Sequence, residues 1–399
     1  MKRKISLLLA MVLILSTLTN VAVAEDTVPA STETEAVETE NKVLELSIDE
    51  AVKLAIESDR GMWKLDDKIK EMKDLRKKGS SDSEQAEYLI GLSLSDTSAM
   101  GITADGYLKL LLDKNNYSGK TAELKPKEIE KQREQLLVTL EIGTKSAYYG
   151  VLLAEKAIEI NEGNLNKANE QLRVVNLKFN NGSATKAEVL SGEMAVQQAK
   201  TDYDSAIDDL NIAKLNFLNL LNLPFDTEFV LTETELSYVQ TEEVKLDEAI
   251  EKAKEDRVEI LTAENDLELQ KIETHVYKAY YTSNLRQHKA AIEELKDAEL
   301  NVPQAHKDVE LDVRNKYLNL MKAERALLNA DKTLEIANES ARINKLLYEN
   351  GMSTVLDVLN ADEALAQAEI FRYTSLVNYN LEKLRFDYSN IGTIKLTSN

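Results

Sequence analysis

One seven-residue pattern occurs twice in this chain, and its spacing constrains the fold more than any other feature. Phe179-Asn-Asn-Gly182-Ser-Ala-Thr185 returns 169 residues later as Tyr348-Glu-Asn-Gly351-Met-Ser-Thr354. The same offset pairs Tyr148 with Tyr317, Ala154-Glu155 with Ala323-Glu324, Val189-Leu190 with Val358-Leu359, and Phe217 with Phe386. Upstream, Ile48-Asp-Glu-Ala-Val52 returns as Leu246-Asp-Glu-Ala-Ile250 at an offset of 198. Offsets held over so long a stretch mark an internal duplication whose first copy carries an insert, expected at about 79–126.

Both copies are written with a helical period. Leu137, Leu140, Thr144, Ala147, Val151, Ala154 and Ile158 open a seam of alternating three- and four-residue steps that continues to Phe179. Val189, Gly192, Val196, Ala199 and Tyr203 begin the return seam, and the second copy shows Val309, Val313, Leu320, Ala323, Leu327 and Ala330. Sustained heptads of this kind predict long antiparallel helices. A helix over Lys127–Phe179 would extend roughly 80 Å, a rod that no compact core requires. Asn181-Gly182 and Asn350-Gly351 stand at the hairpin turns, where Gly adopts a left-handed helix terminus without a Cβ penalty. Many seam positions are Ala, which allows close approach but contributes little burial, so further lateral packing is expected.

The predicted fold class is therefore mainly α, a duplicated pair of long helical hairpins with at most short β segments. Residues 44–224 form the first repeat, with a loop-like insert at Gly79–Pro126 and a tip at 180–184. A linker at 225–243 leads to the second repeat, 244–392, with a tip at 349–353 and a tail at 393–399. Ser47 and Glu50 predict a capping box for the opening helix. Strand-like sequence is confined to Ile90–Ser95, Tyr107–Leu112 and Val276–Thr282, and Pro303 is expected to interrupt the second long helix.

Met1–Ala24 has three leading bases, an apolar stretch from Ile5 to Leu15 and an Ala22-Val23-Ala24 site, which reads as a cleaved export signal. An acidic leader, expected to be disordered, follows at 25–43. No later stretch approaches the ~20 apolar residues of a spanning helix. With 70 acids against 49 bases, a net charge of −21 disfavours nucleic acid and anionic lipid as partners. The chain has no Cys, and its three His residues, His275, His288 and His306, are too scattered for a metal cluster. No metal or cofactor is expected. Acid pairs such as Asp208-Asp209 and Glu293-Glu294 read as solvated helix faces, and no phosphate loop, G-x-S-x-G or H-E-x-x-H is present, so no enzyme activity is expected.

Taken in order, these motifs resemble the TolC-like outer-membrane efflux protein family. They are the export signal, the Leu46-Ser-Ile-Asp-Glu-Ala-Val helix, and two runs in which a Tyr is followed six residues on by Ala-Glu (Ala147–Glu155 and Lys316–Glu324). The two glycine turns, each followed by an acid-Val-Leu, complete the set. The resemblance implies a homotrimer whose six hairpins form a tapering periplasmic tunnel, joined to an inner-membrane pump by a periplasmic adaptor and set in the outer membrane by β-strands. It implies that Asn181, Gly182, Asn350 and Gly351 face the adaptor. It further implies that Asp357, Glu188, Tyr348 and Asn360 lie at the pore constriction, with Tyr348 tied to the acid of the neighbouring hairpin. Ser353 replaces an Arg found in strongly latched members, and Asn360 stands where a second Asp ring can lie. The alternative is a soluble extracytoplasmic coiled-coil scaffold or adaptor-binding module without its own barrel.

Overall fold

The computed structural model describes residues 43–91, 103–238, 240 and 245–394, with the side chains of 75–83 left out. The expected export signal, nearly all of the acidic leader, and Leu92–Ser95 of the first strand-like segment lie outside the described residues. The order is β1 (Leu44–Leu46), α1 (Ile48–Ser58), α2 (Arg60–Ile90), α3 (Ala104–Lys114), α4 (Tyr117–Asn180) and α5 (Lys186–Leu220). The second half continues with β2 (Phe229–Leu231), α6 (Leu246–Asp256), α7 (Val258–Tyr280), α8 (Arg286–Glu349) and α9 (Val355–Asp387). Ser47 and Glu50 form the expected capping box, each satisfying the other's backbone N–H.

The two long hairpins, α4–α5 and α8–α9, lie side by side. Helix α4 packs on α9, which leaves α5 and α8 on opposite flanks of the layer. Helices α4 and α8 each have 64 residues, about 96 Å at 1.5 Å per residue. The duplication is visible in the packing. Tyr148 meets Phe217 at 5.9 Å between ring centres, and their repeat partners Tyr317 and Phe386 meet at 6.0 Å. The first pair anchors a core with Leu46, Ala51, Val151 and Phe229. The second belongs to a core built on Val309, Val313, Leu320, Leu327 and Tyr379.

Short polar ties hold the linker and tail to these cores. Strand β1 pairs in parallel with β2, in register Leu44 with Phe229 and Leu46 with Leu231. The buried Tyr148 hydroxyl donates to the Leu46 carbonyl (3.1 Å) and accepts from the Glu233 N–H (3.1 Å), fixing where both strands sit. At the other end of the sequence, Tyr388 donates to Glu141 of α4 (2.9 Å), and Asn390 donates to Asp256 of α6 (2.9 Å). Burial, then the Glu141 carboxylate, pushes the Tyr388 phenol up to about 12. The tail thus bridges the two repeats.

Three expectations are corrected. The insert is largely helical: α2 runs to Ile90, α3 covers Tyr107–Leu112, and α4 starts at Tyr117 and passes through Pro126. Helix α8 likewise runs through Pro303. A proline inside a helix costs about 3 kcal/mol, but burial beside it holds one axis. Ala122 and Ile129 are buried around Pro126, and Ala305 beside Pro303 packs against the core of Val309 and Val313. The strand-like Val276–Thr282 is helix as far as Tyr280, since Val276 is buried and Thr274 donates to the Ala291 carbonyl across the α7–α8 hairpin (2.9 Å). Short β-branched and aromatic runs do not separate a strand from a buried helix.

Candidate functional site: the paired hairpin tips

Each long hairpin turns by the same device. At the first tip, Ser183 N–H donates back to the Lys178 carbonyl (2.7 Å) and Gly182 N–H to that of Phe179 (2.9 Å), with Gly182 at φ 75°. At the second, Met352 N–H donates to Leu347 (2.8 Å) and Gly351 N–H to Tyr348 (3.0 Å), with Gly351 at φ 71°. These bonds close the last helical turn, and the left-handed residue between them favours glycine, which has no Cβ penalty there. Asn181 and Asn350 keep negative φ and serve as the C-caps. All four residues are solvent-exposed at the end of the rod.

Glu188 and Asp357 sit at equivalent places, and each closes a capping box at the start of the return helix. One Asp357 oxygen accepts from the Thr354 hydroxyl (2.7 Å), the Thr354 N–H (2.9 Å) and the Ser353 hydroxyl (2.9 Å). These bonds, chiefly those from Thr354, hold its carboxyl below the usual range. Glu188 is lowered in the same way by the Thr185 N–H and hydroxyl. Both acids therefore carry local structure as well as charge, and Ser353, in place of an Arg, adds a bond to Asp357. Asn360 is exposed one turn beyond Asp357.

A depressed carboxyl stabilises the fold above its unfolded value, ~3.9 for Asp, and that stabilisation is lost as pH falls through the lower folded value. Asp357→Asn is therefore expected to lower Tm at neutral pH, with the gap to wild type closing in acid below the ordinary carboxylate range. A gap that stays constant across that range would show that the charge contributes nothing at the cap.

The two tips share a core. Val175 and Val189 of the first hairpin pack with Tyr348, Val355, Val358 and Leu359 of the second. At the tips the repeats are also tied by a cation over a ring: Lys178 Nζ lies 3.7 Å from the centre of the Tyr348 ring. Lys178 also faces Glu188 and helps lower its pKa. The resemblance implied a hydrogen bond from Tyr348 to the acid, whereas within this chain the lysine links the two. Lys178 was missed in the sequence. The available signal was the asymmetry between copies, which places a cation where the second repeat has Leu347.

Elsewhere, a groove of about 370 Å³ between α4, α8 and α9 is lined by Lys156, Lys167, Glu369, Arg372 and Tyr373. Its cations are already paired, Lys156 with Glu159 (2.7 Å), Lys167 with Asp362 (3.9 Å) and Arg372 with Asp331 (2.7 Å). Among the described residues no three His, Asp or Glu side chains converge as metal ligands.

Comparison with known proteins agrees with this geometry. Residues 279–382 match the family described as outer membrane efflux protein. The chain superposes on CusC, whose structures describe transmembrane channel formation, with TM-score 0.66 at 12% identity, covering 87% of this chain and 92% of that one. A membrane protein from Pseudomonas aeruginosa gives 0.66 at 13% identity, covering 93% and 96%. The Neisseria gonorrhoeae outer membrane channel MtrE, in its open state, gives 0.61 at 14% identity, covering 95% and 98%. No curated protein sequence matches. The family match thus falls within the second repeat, and the chain has the fold of these outer membrane channels.

Proposed function

We propose that this chain is one protomer of a trimeric efflux duct in the cell envelope, a tunnel that passes substrate received from an adaptor and pump. The observation that carries this reading is a pair of unpartnered apolar stripes on the two flanks. On α8, Leu300, Leu311, Leu318, Ile336 and Ile343 are 43–60% exposed, and their spacings of 11, 7, 18 and 7 residues are close to whole helical turns. On α5, Leu190, Met194, Ile212 and Leu215 form a second stripe, 46–74% exposed. Leu190 lies eight residues beyond Gly182, and Ile343 lies eight before Gly351. Both therefore stand about 12 Å above the tips, while Ile212 and Leu318 stand at about 45–50 Å. Two copies placed side by side with tips level would bring the stripes together. Such an α5-to-α8 contact joins different surfaces, and a heterologous contact that closes makes a ring.

In that ring the tips at Asn181-Gly182 and Asn350-Gly351 form the entrance and meet the adaptor. Asp357 and Asn360 point their polar groups toward the constriction, with Glu188 behind them. Three Asp357 carboxylates there repel one another and attract cations. Lys178 on Tyr348 holds the two hairpins of each protomer together beside that constriction. Nothing in this reading calls for bond-making chemistry.

The test uses the chain from Glu25 onward, in which any introduced Cys is unique because the native sequence has none. Light scattering is expected to give three chains per particle. With Leu190→Cys and Ile343→Cys together, a short bis-maleimide should convert the trimer into a covalent ring that runs as three chains on a denaturing gel. A particle of one chain at all concentrations would sink the duct reading, and a trimer without cross-linking would sink the proposed register.

A further inference from the structure

The far end of the rod, about 96 Å from the tips along α8, carries a second feature that the tunnel does not use. Helices α7 and α8 are joined by only five residues, Tyr281–Leu285. The turn is tightly braced: Leu285 N–H donates to the Thr282 carbonyl (3.0 Å), Thr282 to Asn284 (2.7 Å), and His288 Nδ1 lies 3.0 Å from the Tyr281 carbonyl. Four tyrosines cluster beside it. Tyr280 stacks edge-on to Tyr281 at 4.8 Å, Tyr281 lies 5.6 Å from Tyr277, and Tyr107 of α3 lies 6.1 Å from Tyr280. Tyr280 and Leu285 are exposed at the apex.

The charge at this end is opposite to that of the molecule. From Thr274 to Ile292 the sequence has Lys278, Arg286 and Lys289 and no acid, in a chain of net charge −21. All three bases are exposed, and none makes an ion pair among the described residues. Asp105, near Tyr107 on α3, is the nearest acid on that helix, and Lys109 follows it. Glu273 of α7, bonded to Tyr277, and Glu293 and Glu294 of α8, about 6 Å beyond Lys289 along the helix, stand behind the cluster on the rod side, while the turn from Lys278 to Lys289 carries only bases.

We propose that the α7–α8 turn is a peripheral contact with an anionic phospholipid surface. Tyrosine rings are amphipathic and settle at headgroup depth, an exposed leucine at the apex gains by entering the acyl boundary, and flanking Lys and Arg face the phosphates. A soluble phosphate-rich polymer would engage the three bases but offers nothing to Tyr280 and Leu285, so the apolar apex favours the bilayer. Among the described residues no helix can span a membrane. The contact stands on a single chain and does not depend on the ring.

The test is flotation of the chain from Glu25 onward with vesicles of phosphatidylcholine alone or with about a third phosphatidylglycerol. Each base near an anionic surface contributes roughly a factor of five in partitioning, so the triple variant Lys278→Glu, Arg286→Glu, Lys289→Glu should lose at least tenfold. The double variant Tyr280→Ser, Leu285→Ser should also float less. A control triple, Lys64→Glu, Lys68→Glu, Lys70→Glu on α2, should float as the wild type does. Equal loss in tip and control triples would assign binding to overall charge and overturn the proposal. So would an apex double that floats normally while polyphosphate competes wild type off the vesicles, because that result belongs to a phosphate polymer site. Light scattering on the same samples reports assembly separately from lipid binding.

Discussion

Replacing Arg257 with Ala is expected to cost about 3 kcal/mol of stability, the loss typical of breaking a hydrogen-bonded, largely buried ion pair whose partners remain partly solvated. Arg257 ends α6 and begins α7, and its side chain is only 6% exposed. Its guanidinium forks to Glu259 (3.0 Å), to Asp312 of α8 (3.0 Å) and to the Ser389 carbonyl in the tail (3.2 Å). Asp312 also holds Lys316 at 3.0 Å, whose pKa is pulled down by burial. Glu259 and Asp312 are each about two-fifths exposed, so water compensates part of the loss, and the estimate stays at the lower end of the usual range. Arg257→Lys should recover little, because a single ammonium cannot reach three acceptors in fork geometry.

Gly392 makes this prediction sharper. It has φ 79°, and a Cβ there would lie 2.2 Å from Arg257 Nη1. Gly392→Ala alone should therefore cost more than the ~1–2 kcal/mol of a left-handed alanine. In the Arg257→Ala background it should cost only that strain. Chemical denaturation of the four chains measures the coupling directly. Additive losses would mean that the tail does not seat on Arg257.

How much of this was legible beforehand depended on how local each cause is. The turn geometry at 182 and 351 was legible because its determinants lie within seven residues: a left-handed glycine, then a Thr and an acid three residues later that cap each other. The matched ring pairs Tyr148–Phe217 and Tyr317–Phe386 were legible because duplication writes the same contact twice. Pro126 and Pro303 misled because a proline's cost is local, whereas the burial that outweighs it comes from helices far away in sequence. Arg257 gave no signal at all. Its partners stand 2, 55 and 132 residues away, and no periodicity links them. Lys178 shows an intermediate case, since its place on the helix was readable but its contact with Tyr348 needs the hairpins side by side. The acid-free turn at 274–292 was present in the sequence, yet net charge concealed it until the structure placed it at the end of the rod.

Glutamates placed on one flank should separate the proposed trimer while leaving each chain folded. Leu318 and Ile336 are 58% and 60% exposed, so Leu318→Glu with Ile336→Glu leaves the intramolecular cores built on Leu320, Leu327 and Tyr379 untouched. In the ring both would face the α5 stripe of the next copy near Ile212 and Met194, and burying a carboxylate there without a partner is unfavourable. Two such charges per contact should raise the dissociation constant at least a hundredfold, about 2.8 kcal/mol. Light scattering should then find single chains at concentrations where wild type gives three, with unchanged helix content by circular dichroism. The flank also supplies its own control. Leu328→Glu lies on the same helix and is half exposed, but it is rotated about a quarter turn off the stripe and should leave the assembly intact. If Leu328→Glu dissociates the particle as fully as the stripe pair does, the contact is a broad face and the level matching of α5 to α8 is wrong. If neither change has an effect, the copies meet through a different surface, and the tips are held in place by something other than these two flanks.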